Sequence, residues 1–191
     1  MSKLLLIIIL STLDTWYLYP QKQENVSFTS DESLAFFKWD IERVDKDALM
    51  FLDIPYQRDS THELEYLTLT VAIAKIKNRP DFISIIVPSN INQSNGIFLK
   101  FANRVDSGVE IKAEESNILS IPFETFDIKN KTCTARLYGG YIYNQNKEVK
   151  EDVFGKFLKM DYMFVLLTYP DEGHKTIIVP LTSFKKQIKT L

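Results

Sequence analysis

The chain has 191 residues, of which 45% are hydrophobic and 25% charged, and it holds only 6 Gly and 7 Pro. These are ordinary globular values. They exclude a wholly disordered chain, a collagen-like chain and a long flexible linker, and they predict one folded domain with short tails. The formal net charge of −2 arises from 23 basic and 25 acidic groups mixed along the sequence, so the one-sided basic excess of a nucleic-acid binder is missing.

The amino end comes first. Met1-Ser-Lys3 precedes an apolar run from Leu4 to Leu10. A charged start followed by about 7–15 apolar residues is the layout of a secretory signal peptide. The run is too short for a bilayer span, which needs about 20 apolar residues. Residues 1–19 are therefore expected to be a signal peptide or a hydrophobic N-terminal segment. Export to the periplasm, the cell surface or the medium is expected with it, without an integral membrane span. Residues 20–34 are polar and read as a linker. That leaves 35–191 as the folded domain.

In the body, Phe36 to Ile41 reads as a first strand and Ala48 to Tyr56 as its hairpin partner, joined at Asp45-Lys-Asp47. Pro55 should end that partner or place it at an edge. Leu67, Leu69, Val71 and Ile73 alternate with Thr68, Thr70, Ala72 and Ala74, which is the period of a half-buried strand. Asn78 to Asp81 is a turn, and Phe82 to Val87 is β-branched and nearly continuous, so it reads as a central strand that Pro88 stops. Ser89 to Asn95 is a polar loop, and Gly96 opens a strand from Ile97 to Phe101. Shorter strands are expected at Val109–Ile111, Ile118–Phe123 and Cys133–Leu137, the last ended by Gly139-Gly140. Tyr162–Tyr169 and Thr176–Val179 form a hairpin around Pro170-Asp-Glu-Gly173. Helix is confined to about 152–159, capped by Asp152, and to 183–191, where Phe184, Ile188 and Leu191 share a face. Aromatic residues, with 13 Phe and 9 Tyr, favour strands throughout. The predicted class is an all-β sandwich, immunoglobulin-like and mainly antiparallel, with one or two short helices.

The chemistry-bearing residues are few. No phosphate loop, dinucleotide fingerprint or zinc-protease motif occurs. Cys133 is the only cysteine, so an internal disulfide and a Cys-rich zinc site are excluded. It falls on a strand whose face holds Ala135 and Leu137, and it reads as buried and inert. His62 and His174 are the only histidines. His62 lies in a polar stretch and His174 in a hairpin turn beside Asp171 and Glu172. Glu114-Glu115 is a solvated acidic pair without a feature that tunes it for acid–base work. Three triplets, starting at Asn25, Asn92 and Asn130, match the glycosylation acceptor. Lys175, Lys185, Lys186 and Lys189 read as a solvated basic tail. The residues thus predict no catalytic, cofactor or metal site, and no enzyme. Binding through surface loops is expected instead, at Ser89–Asn95 or at Lys129–Thr132, between which the residues do not choose. A carrier of small ligands, with a cavity lined by Tyr138, Tyr141 and Tyr143, is the alternative.

The order of short motifs resembles that of the invasion-associated locus B family of bacterial exported proteins. The motifs are Phe37-Lys-Trp39, Ile85-Ile-Val-Pro88, Gly96-Ile-Phe-Leu99, Ile121-Pro-Phe123, Cys133-Thr-Ala135 and Val179-Pro-Leu181 followed by Phe184. The match covers roughly residues 36–191. The resemblance implies an immunoglobulin-like sandwich, export, a protein partner in the host or the envelope, and no enzymatic activity. Family members usually carry paired cysteines; Cys133 would be the orphan of such a pair.

Overall fold

Alternation of side chains sets the architecture. In β3 (Leu64–Ala74), Leu67, Leu69 and Val71 are fully buried while Thr68 and Thr70 stay partly exposed. In β9 (Thr132–Tyr138), Cys133, Ala135 and Leu137 are buried and Thr134 and Arg136 are not. A strand that keeps one face apolar must lay it against another layer. A computed structural model of the chain supplies that layer. It describes residues 38–44, 47–74, 79–104, 111–113, 118–143, 148–171 and 173–191. The chain divides into two units, Met1–Ser33 and Leu34–Leu191, and every element below belongs to the second.

The first sheet has six strands in the order β1 (Asp40–Val44), β2 (Asp47–Gln57), β3, β4 (Pro80–Pro88), β9 and β8 (Thr125–Asp127). The second follows the order β13 (Gly173–Pro180), β12 (Tyr162–Tyr169), β5 (Ile97–Arg104) and β6 (Ile111–Ala113), with β7 (Leu119–Ile121) also paired to β5. A two-stranded ribbon joins β10 (Tyr141–Tyr143) and β11 (Val149–Asp152). All these pairings are antiparallel. The sheets do not close into a barrel. One core cluster draws on the inner faces of both sheets and on α1 (Val153–Lys159) and α2 (Thr182–Gln187). This is the all-β, mainly antiparallel, sandwich-like fold with two short helices that the alternation predicts.

The details follow local chemistry. Asp152 caps α1, its carboxylate accepting from the Gly155 N–H at 2.8 Å. Gly96 takes φ +65°, and a Cβ there would come within 2.3 Å of the Ile121 carbonyl oxygen, so only glycine fits between the loop and β7. Pro55 does not end β2, which runs on to Gln57. Pairing with β1 stops at Phe51, so beyond that point β2 is an edge on that side, where a missing N–H costs no ladder bond. The first strand begins at Asp40, after Trp39. Residues 36 and 37 and the expected turns at 45–46 and 106–108 lie outside the described residues, as does residue 109 of the expected strand at Val109–Ile111. The sequence reading has no counterpart for β8, β10 and β11, which are three or four residues long and too short to show a period.

At one end of the core the two helices close over an aromatic cluster. Phe184 of α2 lies 4.9 Å from Trp39, 5.5 Å from Phe157 and 6.3 Å from Phe154, centroid to centroid. These tilted and edge-on contacts suit the ring quadrupoles.

Candidate interaction site at the loop end

The opposite end carries the loops β2–β3, β4–β5, β8–β9 and β12–β13, and polar contacts tie them together. Ser89 N–H donates to the Lys131 carbonyl at 2.8 Å. The two loops between which the sequence does not choose, Ser89–Asn95 and Lys129–Thr132, are therefore one structure. Asn92 N–H donates to the Thr168 carbonyl at 2.6 Å, which fixes the first of them to the second sheet.

Beneath the loops lies a buried polar cluster. The hydroxyls of Tyr56 on β2 and Tyr169 on β12 are hydrogen-bonded at 2.8 Å across the two sheets. Both hydroxyls also lie within hydrogen-bonding distance of Glu65 Oε2, at 2.9 and 2.6 Å, so their two protons are shared among three contacts, and Asn90 Nδ2 donates to Glu65 Oε1 at 2.7 Å. Burial pushes both tyrosine hydroxyls far above their ordinary range, and hydrogen bonding to Glu65 adds to this. Next to them Arg58 is nearly fully buried. Its guanidinium lies 4.4 Å from the centre of the Tyr169 ring and donates to both oxygens of Asp171 at 2.6 Å. Ser60 donates to the same carboxylate at 3.3 Å, and Lys175 pairs with Asp59 at 2.8 Å. No sequence motif marks this cluster. Its members are up to 113 residues apart and meet only through strand order.

Apolar side chains project from this braced end, Leu64 at 61% exposure and Ile128 further still. Ile128, at the β8–β9 turn, is 92% exposed. The turn is held by Asp127, whose carboxylate accepts from Asn130 N–H at 2.9 Å and from its Nδ2 at 2.7 Å. Those bonds hold the Asp127 carboxyl below the usual carboxylate range. Lys131 completes the turn at φ +54°. Phe126, half exposed, meets Phe123 edge-on at 6.1 Å. Asn130 and Asn92, two of the glycosylation acceptors, are engaged within their own turns, Asn92 Oδ1 accepting from Ser94 N–H.

The remaining sequence candidates are scattered. Cys133 is buried on the inner face of the first sheet. His174 lies on the outer face of the second sheet, opposite Thr168, with its Nδ1 3.1 Å from the Thr168 hydroxyl. His62 is exposed in the β2–β3 loop at φ +59°. The structure does not bring Cys133 together with either histidine. Glu114 and Glu115 lie outside the described residues. Gly139 and Gly140 form a turn at φ +62° and +72°. Lys175 and Lys185 of the basic tail are paired, with Asp59 and Asp161. Tyr138, Tyr141 and Tyr143 stand at the surface, Tyr138 donating to Glu124 and Tyr141 lying under the Arg79 guanidinium. Among the described residues no group of three or more His, Cys, Asp or Glu is placed to hold a metal, and no helix is long and apolar enough to cross a membrane. Comparison with protein-family models, with curated proteins and with solved structures finds no match for the chain.

Two expected outcomes arise from this chemistry. Burial raises the Cys133 thiol above its ordinary range, so little thiolate is present to react. A thiol reagent should label the native protein slowly and the unfolded protein fast, and Cys133→Ser should cost about 1–3 kcal/mol in chemical denaturation. Rapid native labelling would give Cys133 another role.

The second outcome concerns pH. Burial lowers the affinity of His174 for its proton. Below about pH 6.5 the unfolded chain binds a proton that the folded chain resists, so stability falls as pH drops from there toward the folded value. Hydrogen bonding from Arg58 lowers Asp171. Burial alone would raise Asp152, but hydrogen bonds from Arg79 and the Gly155 N–H outweigh it and the net shift is downward. The stability these two acids contribute is present above about pH 4 and lost as pH falls through their folded values. Melting curves should therefore show two losses, and His174→Gln should remove only the upper one.

Proposed function

We propose that this chain is a non-enzymatic, exported β-sandwich protein that acts through contacts with another protein. Ile128 carries the contact reading. It is a large apolar side chain held in water on a turn ordered by Asp127 and Asn130 and tied to the neighbouring loop. Single exposed apolar residues are common on proteins. One fixed on a braced turn, with half-exposed Phe126 beside it, can dock at little further cost in conformational entropy. Export rests on the charged and apolar pattern of residues 1–10. A host or envelope partner rests on the motif order shared with the invasion-associated locus B family.

Two measurements test the reading. The full chain, immobilised, should retain a partner from an extract of the cells it meets, and Ile128→Asp should lose that partner at an unchanged melting temperature. Equal retention by the variant removes the turn from the contact. Mass spectrometry of the protein from its native cells should find a start near residues 15–25, the usual signal length. Intact Met1 in a cytosolic fraction would remove export.

A further inference from the structure

The tip of the β2–β3 hairpin, residues 58–63, is folded on itself. Arg58 N–H donates to the Glu63 carbonyl at 3.0 Å, His62 N–H to the Arg58 carbonyl at 3.1 Å, and Gln57 Nε2 to the His62 carbonyl at 2.9 Å. A tip braced from within can move as a unit. It belongs to the first sheet, yet it lies against the β12–β13 hairpin of the second. Three polar contacts join them. Arg58 Nη2 donates to both oxygens of Asp171 at 2.6 Å, Ser60 Oγ donates to Asp171 Oδ2 at 3.3 Å, and Lys175 Nζ pairs with Asp59 at 2.8 Å. In all three the acceptor is a carboxylate.

The two partners of the central pair are unequally buried. The Arg58 side chain is 6% exposed and that of Asp171 52%. A proton therefore reaches the acid from water, while the guanidinium cannot hydrate where it sits. Arg58 also lies over the Tyr169 ring, at 4.4 Å, and donates to the Ser60 hydroxyl at 3.1 Å, but neither is charged. Neutralising Asp171 leaves a buried cation without this counter-ion, which costs far more than losing a pair in water. The guanidinium regains its solvation by swinging outward, and the tip moves with it.

We infer that the β2–β3 tip is a flap latched by Asp171, and that acid releases it from the β12–β13 hairpin while the rest of the sandwich stays packed. Lifting it uncovers the face of Tyr169 and, beside it, the Tyr56–Glu65 cluster. The groups around the latch are Arg58 and Ser60 from the tip, Tyr169 on the strand before Asp171, and the Asp59–Lys175 pair. Glu65 is engaged with Tyr56, Tyr169 and Asn90. His62 and Glu63 are exposed in the tip, and His174 meets Thr168 on the outer face. Hydrogen bonding from Arg58 holds the Asp171 carboxyl below its ordinary range in the closed state. Closure is therefore favoured above about pH 4, and that favour is lost as pH falls through the lower value. The helix end offers the contrast, because the ring contacts of Phe184 with Trp39 and Phe157 do not depend on a proton.

The test is hydroxyl-radical footprinting of the full chain, read residue by residue by mass spectrometry. In the wild type at neutral pH, Tyr169, 2% exposed, should resist oxidation. Asp171→Asn removes the latch charge at neutral pH, where the Asp152 cap of α1 is untouched. Tyr169 oxidation should then rise about tenfold or more, since stranding a buried guanidinium exceeds one factor-of-ten step in an opening equilibrium. Phe184 and Phe157 should stay protected. The wild type should show the same rise below about pH 4. Adding Arg58→Met to Asp171→Asn should restore protection and abolish the acid response, since no buried cation then remains and the thioether packs on the ring. Ile128→Asp should leave Tyr169 protected, which separates this flap from the contact turn. A Tyr169 that stays protected in Asp171→Asn overturns the proposal. So does a Phe184 that becomes reactive together with Tyr169, in the variant or in acid, because the whole fold is then lost at once. A double variant as reactive as Asp171→Asn overturns it equally.

Discussion

Phe184→Ala is expected to cost about 3–5 kcal/mol, the range for removing a large aromatic side chain from a packed core. Phe184 is fully buried and is shared by three rings, those of Trp39, Phe154 and Phe157. It is also the buried residue by which the six-residue helix α2 holds to the core. A helix that short does not persist in water by its own hydrogen bonds. Truncating its anchor should therefore release the helix as well as open a cavity. Urea denaturation followed by Trp39 fluorescence gives both readings: a midpoint shift for the free energy, and an altered native emission as water reaches the indole. A loss under about 1 kcal/mol would mean that the site collapses around the deletion or that α2 is held from elsewhere.

Glu65→Ala is expected to cost about 2–4 kcal/mol, because it deprives two buried hydroxyls of their charged acceptor. Tyr56 and Tyr169 would keep only their mutual bond, and between them that bond uses one of two protons. Asn90, being exposed, turns to water without penalty. Replacing all three polar partners, as Glu65→Leu with Tyr56→Phe and Tyr169→Phe, should recover most of the loss, since an apolar trio leaves no orphan. The double-mutant cycle between Glu65→Ala and Tyr169→Phe should be clearly less than additive. Strict additivity would mean that the cluster is not a coupled unit. Alkaline titration offers a separate check: neither hydroxyl should ionise before the protein unfolds.

Much of the fold is legible from local pattern. The alternation Leu67–Ala74, the hairpin at Pro170–Gly173, the stop at Pro88 and the cap at Asp152 each act within a few residues, and each appears where the pattern puts it. The inward face of β9, with Cys133, Ala135 and Leu137, is also readable, because a pleated strand with one apolar row has one way to turn. The edge strand β8 and the ribbon β10–β11 are not, because three or four residues carry too little period and their pairing depends on neighbours already in place.

The candidate site shows the division most clearly. Sequence alone determined that Ser89–Asn95 and Lys129–Thr132 are surface loops, that Cys133 faces inward, and that the chain builds strands with few helices. It did so because propensity and period are properties of adjacent residues. Only the tertiary structure decided that those two loops touch, that Glu65 lies beneath them, and that Tyr56 meets Tyr169 across the sandwich. The order of strands in the sheets is chosen by which arrangement buries both apolar faces while satisfying the polar groups caught between them. That choice is made over the whole chain, so no window of sequence contains it.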